Sequence, residues 1–244
     1  MPRLAILALC FLALIFGACG LLGGDDDGGT SRSSYPTEFA PEDLDLEAMA
    51  LKPDDIPVRG IDPSFSDFFT NEEWAAAFQE TLPEVDAGQK QIQLEAQGRQ
   101  LGHLTFFTWD RWFEHLGRLQ QIEAHSTIYL DEESASNALR IHACGLLIAD
   151  DQQLDEFDVP RLGSESTGFF STTTFEVGNI SFGQFIETVV CFRTGRVVHA
   201  VVQGGLDGTQ DTDLGIDLAR RMLVYVNATF DGEDIESDLG PEDG

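Results

Sequence analysis

Basic side chains are scarce in this 244-residue sequence: 14 Lys and Arg stand against 43 Asp and Glu, a formal net charge of −29. Binding to a phosphate backbone needs clustered Lys and Arg, so the composition argues against nucleic acid as a partner. An anionic leaflet would repel such a chain rather than hold it. Internal repeats of 20–50 residues are lacking, which argues against a solenoid or propeller. Catalytic and metal signatures are lacking too, and no cofactor is implied. His103, His115, His125, His142 and His199 never fall at a spacing such as H-E-x-x-H. The run Gly163-Ser164-Glu165-Ser166-Thr167-Gly168 misses the G-x-S-x-G nucleophile elbow, because its serines sit at the wrong distances from the two glycines.

What the chain does carry begins at its start. Arg3 is followed by an apolar run over 4–15 and by Phe16-Gly17-Ala18-Cys19. A positive n-region, an apolar h-region of about 7–15 residues and small residues before the cut make a secretory signal. With the cysteine in place, the segment resembles a bacterial lipoprotein signal peptide. That resemblance implies that the Cys19 thiol carries diacylglycerol and that Cys19 heads the mature chain. It places the protein on the cell membrane or the outer membrane, facing away from the cytoplasm. Two other readings stay open: the uncharged stretch over 4–24 as a spanning helix, or plain secretion with Cys19 unmodified.

Residues 20–34 are rich in Gly, Asp and Ser, and 38–55 are acidic with Pro41 and Pro53. This composition reads as a flexible acidic tether over 19–55. At the other end, 231–244 holds seven acids and no base and reads as a disordered acidic tail. Between them, 56–230 is long enough for one domain with a sizeable core. With Cys10 lost in the signal (1–18) and Cys19 lipidated, Cys144 and Cys191 remain. They either bond in an oxidising compartment or lie as two buried thiols. A bridge would close a loop worth ~3–4 kcal/mol by the chain-entropy argument.

Punctuation and hydrophobic period predict a helix over 71–81, with Asn71 as cap and Trp74, Ala77 and Phe78 at helical spacing. A strand is expected over 104–109, a helix over 110–123 and a strand over 125–130. A long helix over 132–150, carrying Cys144, precedes an acidic loop over 150–158. Strands follow over 166–175, 184–193 and 196–203, the last two forming a hairpin at Thr194-Gly195. Both faces of that hairpin are apolar, so it belongs in the middle of a sheet covered on both sides. A closing helix over 213–230 is capped by Asp213 or Asp211 and shows Leu218, Met222, Tyr225 and Val226 as its apolar stripe. Residues 85–100 fit a strand or a helix equally. Hairpins rather than repeated βαβ units indicate an α+β fold, an antiparallel sheet of four or five strands with two or three packed helices.

The stretch Phe192-Arg193-Thr194-Gly195-Arg196-Val197-Val198-His199-Ala200-Val201-Val202 follows Gly163-Ser164-Glu165-Ser166 and leads into Leu218-Ala219-Arg220-Arg221-Met222. It resembles uncharacterised envelope lipoproteins and sensor-type extracellular domains of high-GC bacteria, often compared with PsbP-like folds. The resemblance implies a binding or assembly role and brings no catalytic residues. Asp211, Asp213 and Asp217 offer hard oxygen ligands for calcium, or simply complement a helix N-terminus. Asp110 with Glu114, and Glu132 with Glu133, are carboxylate pairs of the kind glycosidases use, and acid-rich chains produce them by chance. Phe106, Phe107, Trp109, Trp112 and Phe113 either fill a core or line an apolar pocket. The expectation is a membrane-anchored, non-enzymatic module that binds a small apolar ligand or an envelope protein. The alternative is an envelope hydrolase whose site is assembled from distant residues.

Overall fold

The computed structural model of the chain describes residues 34–148, 152, 154–177 and 180–233. Seven strands, β1 (Ile61–Phe69), β2 (Arg99–Trp109), β3 (Leu119–Tyr129), β4 (Leu154–Phe157), β5 (Glu165–Val177), β6 (Ile180–Thr194) and β7 (Val197–Leu206), form one sheet. Their order is β1-β2-β3-β7-β6-β5-β4, and every neighbouring pair is antiparallel. Four α-helices, α1 (Asn71–Thr81), α2 (Ala87–Ala96), α3 (Glu132–Ile141) and α4 (Thr212–Asp231), complete the α+β fold. The sheet is wider than the four or five strands expected.

The expected central hairpin is central. β7 lies between β3 and β6, and all its residues but Leu206 are buried. Its two faces feed two cores, as a period of two requires. Val197 and Val201 pack with Leu218, Met222 and Val226 of α4, while Val198, Ala200 and Val202 pack with Ala135, Ala138 and Leu139 of α3. Trp74 and Phe78 of α1, Leu94 of α2 and Leu104 of β2 extend the α3 side toward β1.

Local chemistry explains each departure from the expected elements. Thr70, not Asn71, caps α1: its hydroxyl accepts from the Glu73 amide while the Glu73 carboxylate accepts from the Thr70 amide. The undecided stretch over 85–100 resolves into α2, capped by the Asp86 carboxylate at 2.8 Å from the Gln89 amide, and the start of β2. In place of a helix over 110–123 there is a short 3-10 turn, Trp112–His115, and then β3. Gly117 with φ 103° stops the helix. Leu119 and Ile122 are three apart, which mimics a helical step, yet Ile122, Ala124 and Ile128 share the α4 face of β3. The long helix expected over 132–150 ends at Ile141, because Ala143 (φ 45°) and Cys144 (φ 62°) turn left-handed. That turn brings Cys144 to Cys191 of β6, and the two are bonded at 2.08 Å. The bridge therefore ties the turn after α3, rather than a helix, to the sheet. β1 and β4, both edge strands, were not expected; β4 interrupts the acidic loop over 150–158.

The tether expected over 19–55 extends too far. Residues 1–33, Cys19 among them, lie outside the described residues, but from Tyr35 onward the chain packs on the α4 side. Leu46 and Met49 are fully buried and Leu51 is nearly so, each burial stabilising by about 1.5–3 kcal/mol. Polar anchors fix the same segment. The Asp55 carboxylate, itself buried, accepts from Arg221 at 2.8 Å and from the Tyr225 hydroxyl at 2.9 Å. Arg196 donates to the Phe39 carbonyl and stands 4.0 Å over the Phe39 ring. Acidic composition with scattered prolines suggested a linker; the spaced apolar residues between the acids decide the outcome. The acidic tail over 231–244 begins with the last residue of α4 and its Gly232 cap, and beyond 233 lies outside the described residues.

Candidate functional site

The α4 side of the sheet is closed by a 20-residue helix and the segment over 35–56, whereas on the opposite side α1, α2 and α3 leave cavities over the sheet. Below α1 and α3, the sheet floor is open and forms a trough. Its apolar part is a cavity of about 430 Å³ lined by Phe106 and Thr108 of β2, Leu116, Gln120 and Gln121, Thr173 of β5, Phe185 of β6 and Leu206 of β7. A further cavity of about 270 Å³ shares Phe106 and Gln121 and runs up to Glu123, His125 and Glu187, beneath Thr81, Leu146 and Leu147. Among the described side chains of the expected aromatic cluster, Phe106 is the one that faces this cavity. Phe107 and Trp109 are buried on the α4 side, Phe113 is exposed, and the Trp112 side chain lies outside the described residues.

Register puts the polar end together. Thr108, Gln121, Gly204, Glu187 and Ser171 are successive cross-strand partners on five adjacent strands. Gly204 matters because it leaves room: a Cβ there would stand 2.7 Å from the Phe185 ring and 2.8 Å from Gln121 Cγ. Both side chains therefore lean over the β7 backbone. Gln121 Nε2 donates to Glu123 at 2.9 Å, and Glu123 lies 2.7 Å from His125 Nε2. One rung away across β7, half-buried Glu187 faces them. Burial, then the neighbouring Glu123 carboxylate, pushes the Glu187 carboxyl up to about 7 against a hydroxyl bond from Ser171 that favours its charged form. A half-buried acid beside a second carboxylate, able to change charge near neutral pH, is a recognised mark of a functional site.

At the apolar end Gln120 adds a second polar feature. Its Nε2 donates to the carbonyls of His115 and Arg118, which fixes the amide orientation, and its buried Oε1 has no partner among the described residues. A buried acceptor left bare costs free energy unless something reaches it.

The other sequence candidates are absorbed by structure. Asp211 caps α4, accepting from the Leu214 amide at 3.0 Å; Asp213 sits in the first turn and Asp217 pairs with Arg220. Among the described residues no group of three or more His, Cys, Asp or Glu is gathered to hold a metal ion. Glu165 and Glu132 both bind the buried Arg193, Glu114 pairs with Arg111, and the Ser166 hydroxyl donates to the Pro160 carbonyl. His115 stacks on Trp109, and His142 ends α3. His199, fully buried between Ser126 and Thr194, is pushed down to about 3 by burial and stays neutral. Ser66 and His103 meet at 3.0 Å. The far nitrogen of that ring, Nδ1, is buried with no partner among the described residues. A serine–histidine pair without a group to orient the imidazole lacks what nucleophilic catalysis requires.

Sequence reasoning passed over Glu187, Glu123, Gln120, Gln121 and Phe185. One signal was there to find: Glu187 interrupts the apolar strand Phe185-Ile186-Glu187-Thr188-Val189-Val190, an acid where both faces are covered.

No family model matches this chain, and no curated protein matches it. Among solved structures, the extracellular domain of PknH from Mycobacterium tuberculosis matches with a TM-score of 0.46 at 12% identity, over 78% of this chain and 97% of that one.

Proposed function

We propose that this protein is a lipid-anchored extracytoplasmic binding module that takes a small amphipathic molecule in the trough on the α3 side of the sheet. The observation that carries this reading is the cavity of about 430 Å³ walled by Phe106, Leu116, Phe185 and Leu206 and continued into a polar end. Apolar walls with a few convergent polar groups are the common form of a small-ligand site. The anchor rests on the lipoprotein-like segment ending at Cys19, and the compartment on the Cys144–Cys191 bond, since such bonds persist chiefly outside the reducing cytoplasm. An envelope hydrolase fits less well, because the hydroxyl beside Glu187, that of Ser171, is paired with Gln152 and Glu187 rather than with a histidine, and Ser66–His103 lies on the other face of the sheet.

Two measurements test the reading. Intact mass of protein purified from membranes should match a diacylated chain beginning at Cys19; an unprocessed chain would remove the anchor. Titration with N-phenylnaphthylamine, a fluorescent apolar probe, should give one site per chain. Thr173→Trp, which fills the trough from an exposed position without opening the core, should abolish it. Equal probe binding by Thr173→Trp would mean that the trough is not the site.

A further inference from the structure

Resting on the trough reading above, we propose that its ligand is a cation: an amphiphile whose apolar body lies against Phe106 and Phe185 and whose ammonium group sits between Glu123 and Glu187. The residues lining both cavities include no Lys or Arg; their ionisable members are Glu123, His125 and Glu187. A fatty acid or a phosphate ester would bring a further negative charge beside two carboxyls. An amine supplies N–H donors and a compensating charge. The net charge of −29 works in the same direction at long range, enriching cations near the surface.

The geometry also explains why two acids lie so close with no Lys or Arg lining the cavity beside them. Glu187 is flanked by Glu123 and His125 across β7, by Ser171 on β5 and by uncharged Leu146, Leu147 and Thr81 above. With the trough empty, a proton on Glu187 relieves the repulsion from Glu123. An ammonium group arriving between them replaces that proton, so binding releases a proton and strengthens as pH rises.

Calorimetric titration of the full chain with octylammonium, octanol and octanoate at pH 8 and 150 mM salt decides the matter. Octylammonium should bind at one site about tenfold or more tighter than octanol, as expected for a partly desolvated charge pair, and octanoate weakest. Lowering the pH to 5.5 should erase that preference. Glu187→Gln should bring octylammonium to within about twofold of octanol. Octanol binding as tightly as octylammonium would overturn the cationic ligand and leave the trough reading standing. The same overturning follows if octylammonium keeps its preference in Glu187→Gln, or binds several sites per chain, since the cation would then be held by the acidic surface. Failure of all three to bind at one site would overturn both.

Discussion

Replacing Glu187 by Gln should stabilise this protein, and only at neutral and higher pH. In the folded chain the carboxyl titrates near 7 instead of its ordinary 4.5. Between those values the unfolded chain has already lost the proton that the folded chain still holds. The folded state therefore binds more protons, and stability must fall as pH rises through this window. A gap of this size is worth at most about 3 kcal/mol. Because water reaches half-buried Glu187, about 2 kcal/mol is the working figure. Gln is nearly the same shape, can keep a bond with Ser171, and carries no charge for Glu123 to repel. Urea unfolding followed by tryptophan fluorescence, without reductant, at pH 5 and pH 8 reads the effect directly. The two proteins should have nearly equal stability at pH 5, with the variant ahead by about 2 kcal/mol at pH 8 and an unchanged denaturant slope. A difference that is the same at both pH values, or a variant less stable at pH 8, would refute the claim that burial and Glu123 hold this carboxyl protonated.

Three further outcomes follow from the same structure. Replacing Cys144 and Cys191 together by Ala should cost about 4 kcal/mol, since the bond closes a sequence separation of 47 residues; a thermal midpoint that reductant fails to lower would contradict this. Asp55→Ala strips buried acceptors from Arg221 and Tyr225, should cost about 1–3 kcal/mol, and should speed amide exchange in 46–52 well before the central strands. His199 titrates in the unfolded chain near 6.5 but in the folded chain only near 3, so acidification across that window should progressively destabilise the protein; His199→Gln should flatten this acid limb, checked by the same urea series.

Elements whose apolar pattern is repeated over several turns or along both strand faces were readable in advance. α1, the β6–β7 hairpin and α4 all lie close to where their pattern puts them, α1 with Thr70 rather than Asn71 as its cap. Errors cluster where a tertiary constraint overrides a local preference. Ala143 and Cys144 leave helical geometry in a turn fixed by the bond to Cys191, which no periodicity encodes. β1, exposed along most of its length, has no buried face to write an alternating pattern. The segment over 35–56 hides its buried residues among acids. Of the site, Phe106 and His125 were named, whereas Glu187 on β6 meets Gln121 and Glu123 on β3 only across β7, a pairing between residues more than 60 apart in sequence.

The open trough follows from a mismatch of lengths. β6 has 15 residues, an extent of about 50 Å at ~3.3 Å per residue, while α3, the helix laid against it on the trough side, has ten residues and reaches about 15 Å. On the other side α4, with 20 residues, reaches about 30 Å and is supplemented by the buried segment over 35–56. The Cys144–Cys191 bond fixes where the short cover stops, because the left-handed turn at Ala143 and Cys144 that it holds ends the helix there. Lengthening α3 into the trough would therefore require breaking that bond. Disulfide and trough are two consequences of one turn, so on the proposed reading reduction of the bond should loosen the roof formed by Leu146 and Leu147 and weaken probe binding before the sheet itself unfolds.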